Sequence, residues 1–227
     1  MEPFFLTTVL SIVIGSGVYW VVWHVSRKRR RLQNLTQQAL NHGLRVAAET
    51  DMAPTEKFGP LRLFSPQTAG KMENVFTRGN PTMWIFDYDY TISWDQTVGQ
   101  TVAVFETDNM KWPHIIIESR KRERLTVAAM RQLTQKLANW QLACKEVDVC
   151  FHPGFYKNYK VFGNDNAEAI KNFMPPSLLD MLGQNPGWNI EVMDRWVLIY
   201  RQGKTLKPDE FDPFVQSVIG IYKHFKQ

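Results

Sequence analysis

Thr82–Ser93, "TMWIFDYDYTIS", decides how this chain folds. Trp84, Phe86, Tyr88, Tyr90 and Ile92 fall on one side of an extended strand, and Ile85, Asp87, Asp89, Thr91 and Ser93 on the other. That alternation predicts an antiparallel strand with one buried, aromatic face and one solvated, acidic face. A second strand pattern, "TVGQTVAVFET" at 97–107, comes after a polar turn at Trp94, Asp95 and Gln96, so the two runs read as a hairpin. Trp94 sits at the turn and is the aromatic residue best placed to touch a partner.

The letters "DYDYT" also carry a chemical reading. D-x-D-x-T resembles the first signature of the haloacid dehalogenase-type phosphotransferases. The resemblance implies a magnesium-dependent phosphatase with Asp87 as nucleophile and Asp89 as general acid/base. The pattern departs from that family in several places. The family's strand is buried on both sides and reads as an apolar run before the first Asp. The chain then leaves the strand at once, usually through a Gly, whereas Tyr90 holds that place here and the strand pattern runs on to Ser93. Lys157 or Lys160 could stand for the phosphate-neutralising lysine, and "GND" at 163–165 for the acidic loop, but the second acid of that loop is missing and Asp165 reads as a helix cap. Without catalysis, Asp87 and Asp89 lie about 7 Å apart on one strand face. They can pair with a Lys or Arg on a neighbouring strand or hold a cation weakly.

On either side of the hairpin the chain alternates short strands and helices. "LRLFS", "ENVFTRG", "HIIIES", "EVDVCF" and "FYKNYKVF" read as strands, the last two around a turn at 152–154. Residues 126–142 have helical spacing. Asp165 and Glu168 have capping-box spacing for a further helix, which Pro175-Pro176 must interrupt, and Ser177 can cap a second short turn. "WNIEVMDRWVLIYRQ" predicts a hairpin turning at Asp194. Phe211, Phe214, Val215, Val218, Tyr222 and Phe225 line one face of a C-terminal amphipathic helix, with acids at its start and lysines at its end. Strands outnumber helices and are joined by short turns, which predicts an α+β domain with a mainly antiparallel sheet over 58–227.

The N-terminus predicts a membrane anchor. Residues 3–23 carry no formally charged side chain, close to the roughly 20 residues that cross a bilayer as a helix. Tyr19, Trp20 and Trp23 gather where an interfacial aromatic belt belongs, ahead of Arg27, Lys28, Arg29, Arg30 and Arg31. A cleavable signal would place its charge before the apolar run, not after it. The expected layout is a transmembrane helix at 3–25, then a basic collar, a juxtamembrane helix and a linker at 26–57. The positive-inside rule places the N-terminus outside and the domain in the cytoplasm. Arg27–Arg31 are the candidate contacts to anionic lipid head groups, at about 1 kcal/mol per basic residue. Ser11 and Gly15 have the small-xxx-small spacing of helix pairing, so a homo-oligomer or a protein partner is a further expectation.

The net charge of +5 comes almost wholly from residues 27–31, and the remainder is nearly neutral. The folded part therefore lacks the basic stripe that nucleic acid requires. The one other basic run, 120–124, is broken by Glu123 and reads as a solvated loop or helix start. Cys144 and Cys150 are the only cysteines, which suits a reducing compartment. With His152 they lack the fourth ligand and the spacing of a zinc site. No Walker A run and no dinucleotide-binding glycine motif is present. Neither a cofactor nor a metal is implied, and binding is favoured over catalysis.

The hairpin, the strand ending in Glu118 and "HPGFYKNYKVFGNDNAEAIKNF" together resemble a group of bacterial proteins with N-terminal membrane segments. Their domain is marked by "FDY-x-Y" followed by a "Q-T-V" strand. The resemblance spans about Phe58 to Gln227. It implies the same inner-membrane architecture, with Phe86, Asp87 and Tyr88 in a recurring hairpin, and it transfers no catalytic residue.

Overall fold

The computed structural model describes residues 3–48, 57–64, 70–93, 96–107, 111–120, 144–148, 152–164 and 166–225. One helix, α1, runs unbroken from Pro3 to Asn41. Beyond it the described residues form a nine-stranded sheet, antiparallel at every pairing, in the order β1-β2-β3-β4-β9-β8-β5-β7-β6. Its strands are β1 (Arg45–Val46), β2 (Gly70–Gly79), β3 (Thr82–Ser93), β4 (Gln96–Glu106), β5 (Trp112–Ser119), β6 (Lys145–Val147), β7 (Tyr159–Gly163), β8 (Asn189–Asp194) and β9 (Trp196–Tyr200). The helices among them are α2 (Pro153–Tyr156), α3 (Ala167–Phe173), α4 (Pro176–Gln184) and α5 (Phe211–Lys223). The domain is thus α+β, with a mainly antiparallel sheet and a C-terminal amphipathic helix.

Thr82–Ser93 forms strand β3, paired along its length with β4 from Thr82↔Glu106 to Ser93↔Gln96. Its aromatic face is buried as the alternation predicts. Trp84, Phe86, Tyr88 and Tyr90 pack with Val102, Val104, Leu198 and Tyr200 under the segment carrying Phe58, Leu61, Leu63 and Phe64. The other face is not solvated along its length, contrary to expectation. Met83, Ile85, Ala103 and Phe105 lie in a second core, closed by α3, α4, α5 and the end of α1. Apolar residues on both faces of a strand are what a sheet between two layers requires.

Several local expectations change for definable reasons. "LRLFS" forms a short 3-10 turn at Arg62–Phe64, because Phe64 N–H bonds back to Leu61 O and Arg62 N–H is taken by a carboxylate. "FYKNYKVF" splits: Pro153 starts α2, His152 Nδ1 accepts from Phe155 N–H, and only Tyr159–Gly163 is strand. The cap of α3 is Asn166, whose Oδ1 accepts from Ala169 N–H at 2.7 Å. Pro175 precedes α4, and the Ser177 hydroxyl instead meets His224. Arg45-Val46, expected inside the juxtamembrane helix, pairs with β2 as a strand. The Asp194 hairpin forms as expected, with Asp194 at positive φ. Trp94, Asp165, Cys150 and the helix expected at 126–142 lie outside the described residues.

The last turns of α1 belong to the domain core. Leu35 and Ala39 are buried on it, with Leu44 just beyond its end, while Leu32 and Leu40 face outward. His42, just past the helix, pairs with Asp212 at the start of α5. Among the described residues no helix is long and apolar enough to cross a membrane. The side chains of 3–15, 17 and 18, which make up most of the expected span, lie outside that set.

Candidate functional site

Two charged constellations stand out, one on each face of the sheet. The first holds the residues picked from the sequence. Asp87 points to the α1 side of β3 and is buried, not solvated as its place in the alternation implies. Its Oδ2 accepts from Arg31 Nη1 at 2.7 Å and from Asn74 Nδ2 at 2.7 Å, and its Oδ1 accepts from the Thr101 hydroxyl at 2.6 Å. Asn74 can reach in because β2 bulges between Glu73 and Phe76, where Asn74 takes positive φ. Arg31 Nη2 also donates to Leu206 O at 2.8 Å, and Leu206 N–H donates to Thr101 Oγ1 at 3.0 Å. A ring of hydrogen bonds thus ties α1, β3, β4 and the segment before α5.

Arg31 therefore departs from the expected head-group role: its guanidinium is committed to the domain. Arg27, Lys28, Arg29 and Arg30 are exposed. Lys28, one turn before Arg31, shares its helix face and acts on Glu73 and Asp89 at a distance. Asp89 is half-buried, and its carboxylate lies over Gly99, its cross-strand partner, where a Cβ would collide with it. Burial, with Glu73 and Asp87 nearby, raises the Asp89 pKa above the usual carboxylate range against the pull of Lys28 and Lys71. Glu73 is held below that range, first by its hydrogen bond to Lys71.

This geometry does not suit a phosphoryl-transfer nucleophile. Both oxygens of Asp87 are already occupied by donors, and one donor is a fixed cation. Lys160 pairs with Glu146 on the neighbouring strand. His152, considered with the cysteines as a metal ligand, pairs with Asp180. No group of His, Cys, Asp and Glu among the described residues has the arrangement of a metal site. Arg120, at the start of the second basic run, lies over the Tyr156 ring and donates to Tyr156 O and Tyr159 O.

The second constellation escapes sequence reasoning. It lies on the aromatic face, where β5 and β8 pair. Arg62 enters from the 3-10 turn and meets Glu118 at 3.1 Å, and its own backbone N–H is bound by both oxygens of Glu191 at 2.9 and 3.0 Å. His114 Nε2 lies 2.9 Å from Glu191 Oε1, and His114 Nδ1 lies 3.6 Å from Cys144 Sγ. Arg62, His114, Glu191 and Cys144 are each no more than 5% exposed. Burial opposes the charge on Arg62, but Tyr200, Glu118 and Glu191 outweigh it and raise its pKa. Burial likewise opposes the charge on His114, yet its bonds to Cys144 and Glu191 push its pKa up to about 9. Burial raises the Tyr200 hydroxyl in turn. One signal is present in the sequence: His114 precedes the apolar run Ile115–Ile117 and Glu191 lies between Ile190 and Val192, and a buried charge demands partners.

A groove of about 280 Å³ opens beside α5. Trp188, Leu206 and Phe214 give it an apolar floor, and the Arg201 guanidinium stacks 4.3 Å above the Trp188 ring. Lys204 at its rim pairs with Glu210 at 3.1 Å.

No family model matches the chain, and no curated protein matches its sequence. In three dimensions it is similar to a solved structure, the mycobacterial trehalose monomycolate transport factor A, TtfA. The TM-score is 0.56 at 12% identity, over 86% of this chain and 94% of that one. At that identity the likeness speaks for the fold alone.

Proposed function

We propose that this is a single-pass bacterial inner-membrane protein whose cytoplasmic domain is a binding module for a protein partner or the membrane surface. One observation carries the reading. Tyr19, Trp20, Val21, Val22, Trp23 and Val25 are exposed on α1, directly ahead of the exposed Arg27–Arg30. An aromatic and apolar girdle followed by a cationic collar matches a bilayer boundary. Because α1 continues into the domain core and is pinned there by Arg31, the domain would stand at a fixed height over the bilayer, oriented rather than tethered. The fold supports the same reading in one respect, since a protein built on it, TtfA, is described as a transport factor.

Alkaline extraction of membranes carrying the full chain tests this directly. The protein should stay in the pellet, and protease added to intact spheroplasts should spare the domain. Arg at both Val13 and Ile14 should release it. Recovery of the unmutated chain in the soluble fraction would remove the anchor. A second reading, a module for a small anionic ligand, is favoured by Arg201 over Trp188 in the groove. Native mass spectrometry of the detergent-purified protein, compared with Arg201→Ala, tests it.

A further inference from the structure

On the reading of α1 as a membrane anchor, we propose that the closed end of the β3–β4 hairpin is a second bilayer contact, a surface that meets the lipid head groups of the leaflet from which α1 emerges. Helix α1 and strand β3 lie side by side and run in opposite directions, as three contacts along them show. Lys28 acts on Asp89 at a distance, Arg31 binds Asp87, and the His42 carbonyl accepts from Arg78, the cross-strand partner of Met83. Rising residue numbers along α1 thus match falling numbers along β3. The spacing agrees as well: Arg31 to His42 is about 16 Å at helical rise, and Asp87 to Met83 about 13 Å of strand.

Followed the other way, the same geometry carries the hairpin towards the anchor. β3 continues from Asp87 to Ser93, where it pairs with Gln96 of β4, so the hairpin closes about 20 Å beyond the Arg31–Asp87 latch. Along α1, 20 Å ahead of Arg31 is about 13 residues, which ends next to Tyr19, and the helix is unbroken over that stretch. With the two axes diverging by about 30°, the hairpin still reaches the level of Trp20. Both levels belong to the exposed girdle of Tyr19, Trp20 and Trp23. A helix sunk to that girdle therefore brings the closed end of the hairpin to the head-group level.

The residues near that end suit the setting. Thr91 and Thr97, partners across the two strands, are exposed. Lys71, opposite Asp89 on β2, stands between the latch and the closed end and keeps 75% of its side chain in solvent. Its surface pairing with Glu73 is of a kind that contributes little, so an anionic head group can compete for the ammonium. In sequence, the link from Ser93 to Gln96 supplies Trp94, a residue type that favours the interface. Asn80, in the turn joining β2 to β3, is also exposed, but it lies at the far end of the strand, about 30 Å from Thr97. Held by α1 and by the hairpin end, the sheet stands upright on the bilayer and the domain cannot rotate about the helix.

The test uses the full chain with Cys150→Ser in vesicles of phosphatidylcholine and phosphatidylglycerol, with a nitroxide on a fraction of the head groups. Trp20→Cys, Thr97→Cys and Asn80→Cys are introduced one at a time and labelled with a small environment-sensitive fluorophore. Cys144 is buried, and the chain without an added cysteine gives the background. Thr97→Cys should be quenched about fivefold more than Asn80→Cys, since the two positions stand about 30 Å apart along the strand, and as strongly as Trp20→Cys. Quenching at Thr97→Cys no greater than at Asn80→Cys, with Trp20→Cys still quenched, would overturn the second contact and leave the anchor standing. Loss of quenching at Trp20→Cys would overturn the anchor, and the contact with it. A label at Thr97→Cys with blue-shifted emission but no quenching would put that end against a second copy of the chain, and would equally overturn the lipid contact.

Discussion

Arg31 and Arg62 do the same job on opposite faces of one sheet, and they differ in how much water they keep. Each belongs to a segment outside the sheet and reaches a carboxylate on a strand: Asp87 for the α1 arginine, Glu118 for the arginine of the 3-10 turn. The Arg31 side chain keeps 28% of its surface in solvent, the Arg62 side chain only 6%. Dehydration costs an ion several kcal/mol, so the drier pair needs more partners. Arg62 has Tyr200 and two carboxylates in its surroundings, and its backbone N–H is bound as well. Arg31 makes one ion pair and one bond to a carbonyl. The buried cluster should therefore fail as a unit when a member is lost, while at the α1 latch water can take the place of Asp87 beside the part-exposed Arg31.

The largest effect that would sharpen this contrast is Arg62→Met. It leaves Glu118 buried without its cation and removes a positive charge from beside Glu191, and should cost about 3–5 kcal/mol of unfolding free energy in urea. A loss under about 1 kcal/mol would show that the segment at 57–64 is held by its aromatic packing alone. Next comes pH. The folded pKa of His114 is raised to about 9, above roughly 6.5 for an unperturbed histidine. The stability His114 contributes is therefore fully present below about pH 6.5 and is lost as pH rises towards about 9. Melting temperature should fall across that window, and His114→Gln should flatten the fall. A third, smaller effect is expected at the latch. Asp87→Ala removes three hydrogen bonds, one of them to a charged donor, and should cost about 2 kcal/mol. Combined with Arg31→Ala in a double-mutant cycle, it should give a coupling of about 1 kcal/mol.

How far each region is legible from sequence depends on the range of its causes. The β3–β4 hairpin is legible because period-two alternation is local and the turn lies between the runs. Helix α5 is legible from Phe211, Phe214, Val215, Val218 and Tyr222, whose spacing is equally local. "LRLFS" misleads as a strand because the backbone N–H of Arg62 is claimed by Glu191, 129 positions away, and no window of sequence contains that competition. Asp87 is misplaced into water for the same kind of reason. Alternation shows that it lies opposite the aromatic residues; it does not show that α1 returns to cover that face. The Cys144–His114–Glu191 line joins three segments whose neighbours in the sheet are set by topology, and its only local trace is the place of His114 and Glu191 beside apolar residues.

The smallest expected effect tests whether exposure, rather than contact distance, separates these pairs. Lys160 and Glu146 meet at 3.0 Å across β7 and β6, slightly closer than Arg62 and Glu118, yet their side chains are 38% and 49% exposed. Water screens such a pair on every open side, and holding two long side chains together costs rotamer freedom. Lys160→Ala should shift unfolding free energy by no more than about 0.5 kcal/mol, and raised salt should erase even that. The two sheet-face arginines should respond to the same salt in order of burial, with Arg31→Ala partly masked and Arg62→Met undiminished. Equal salt sensitivity across all three pairs would mean that the cluster beneath the 3-10 turn is wet in solution.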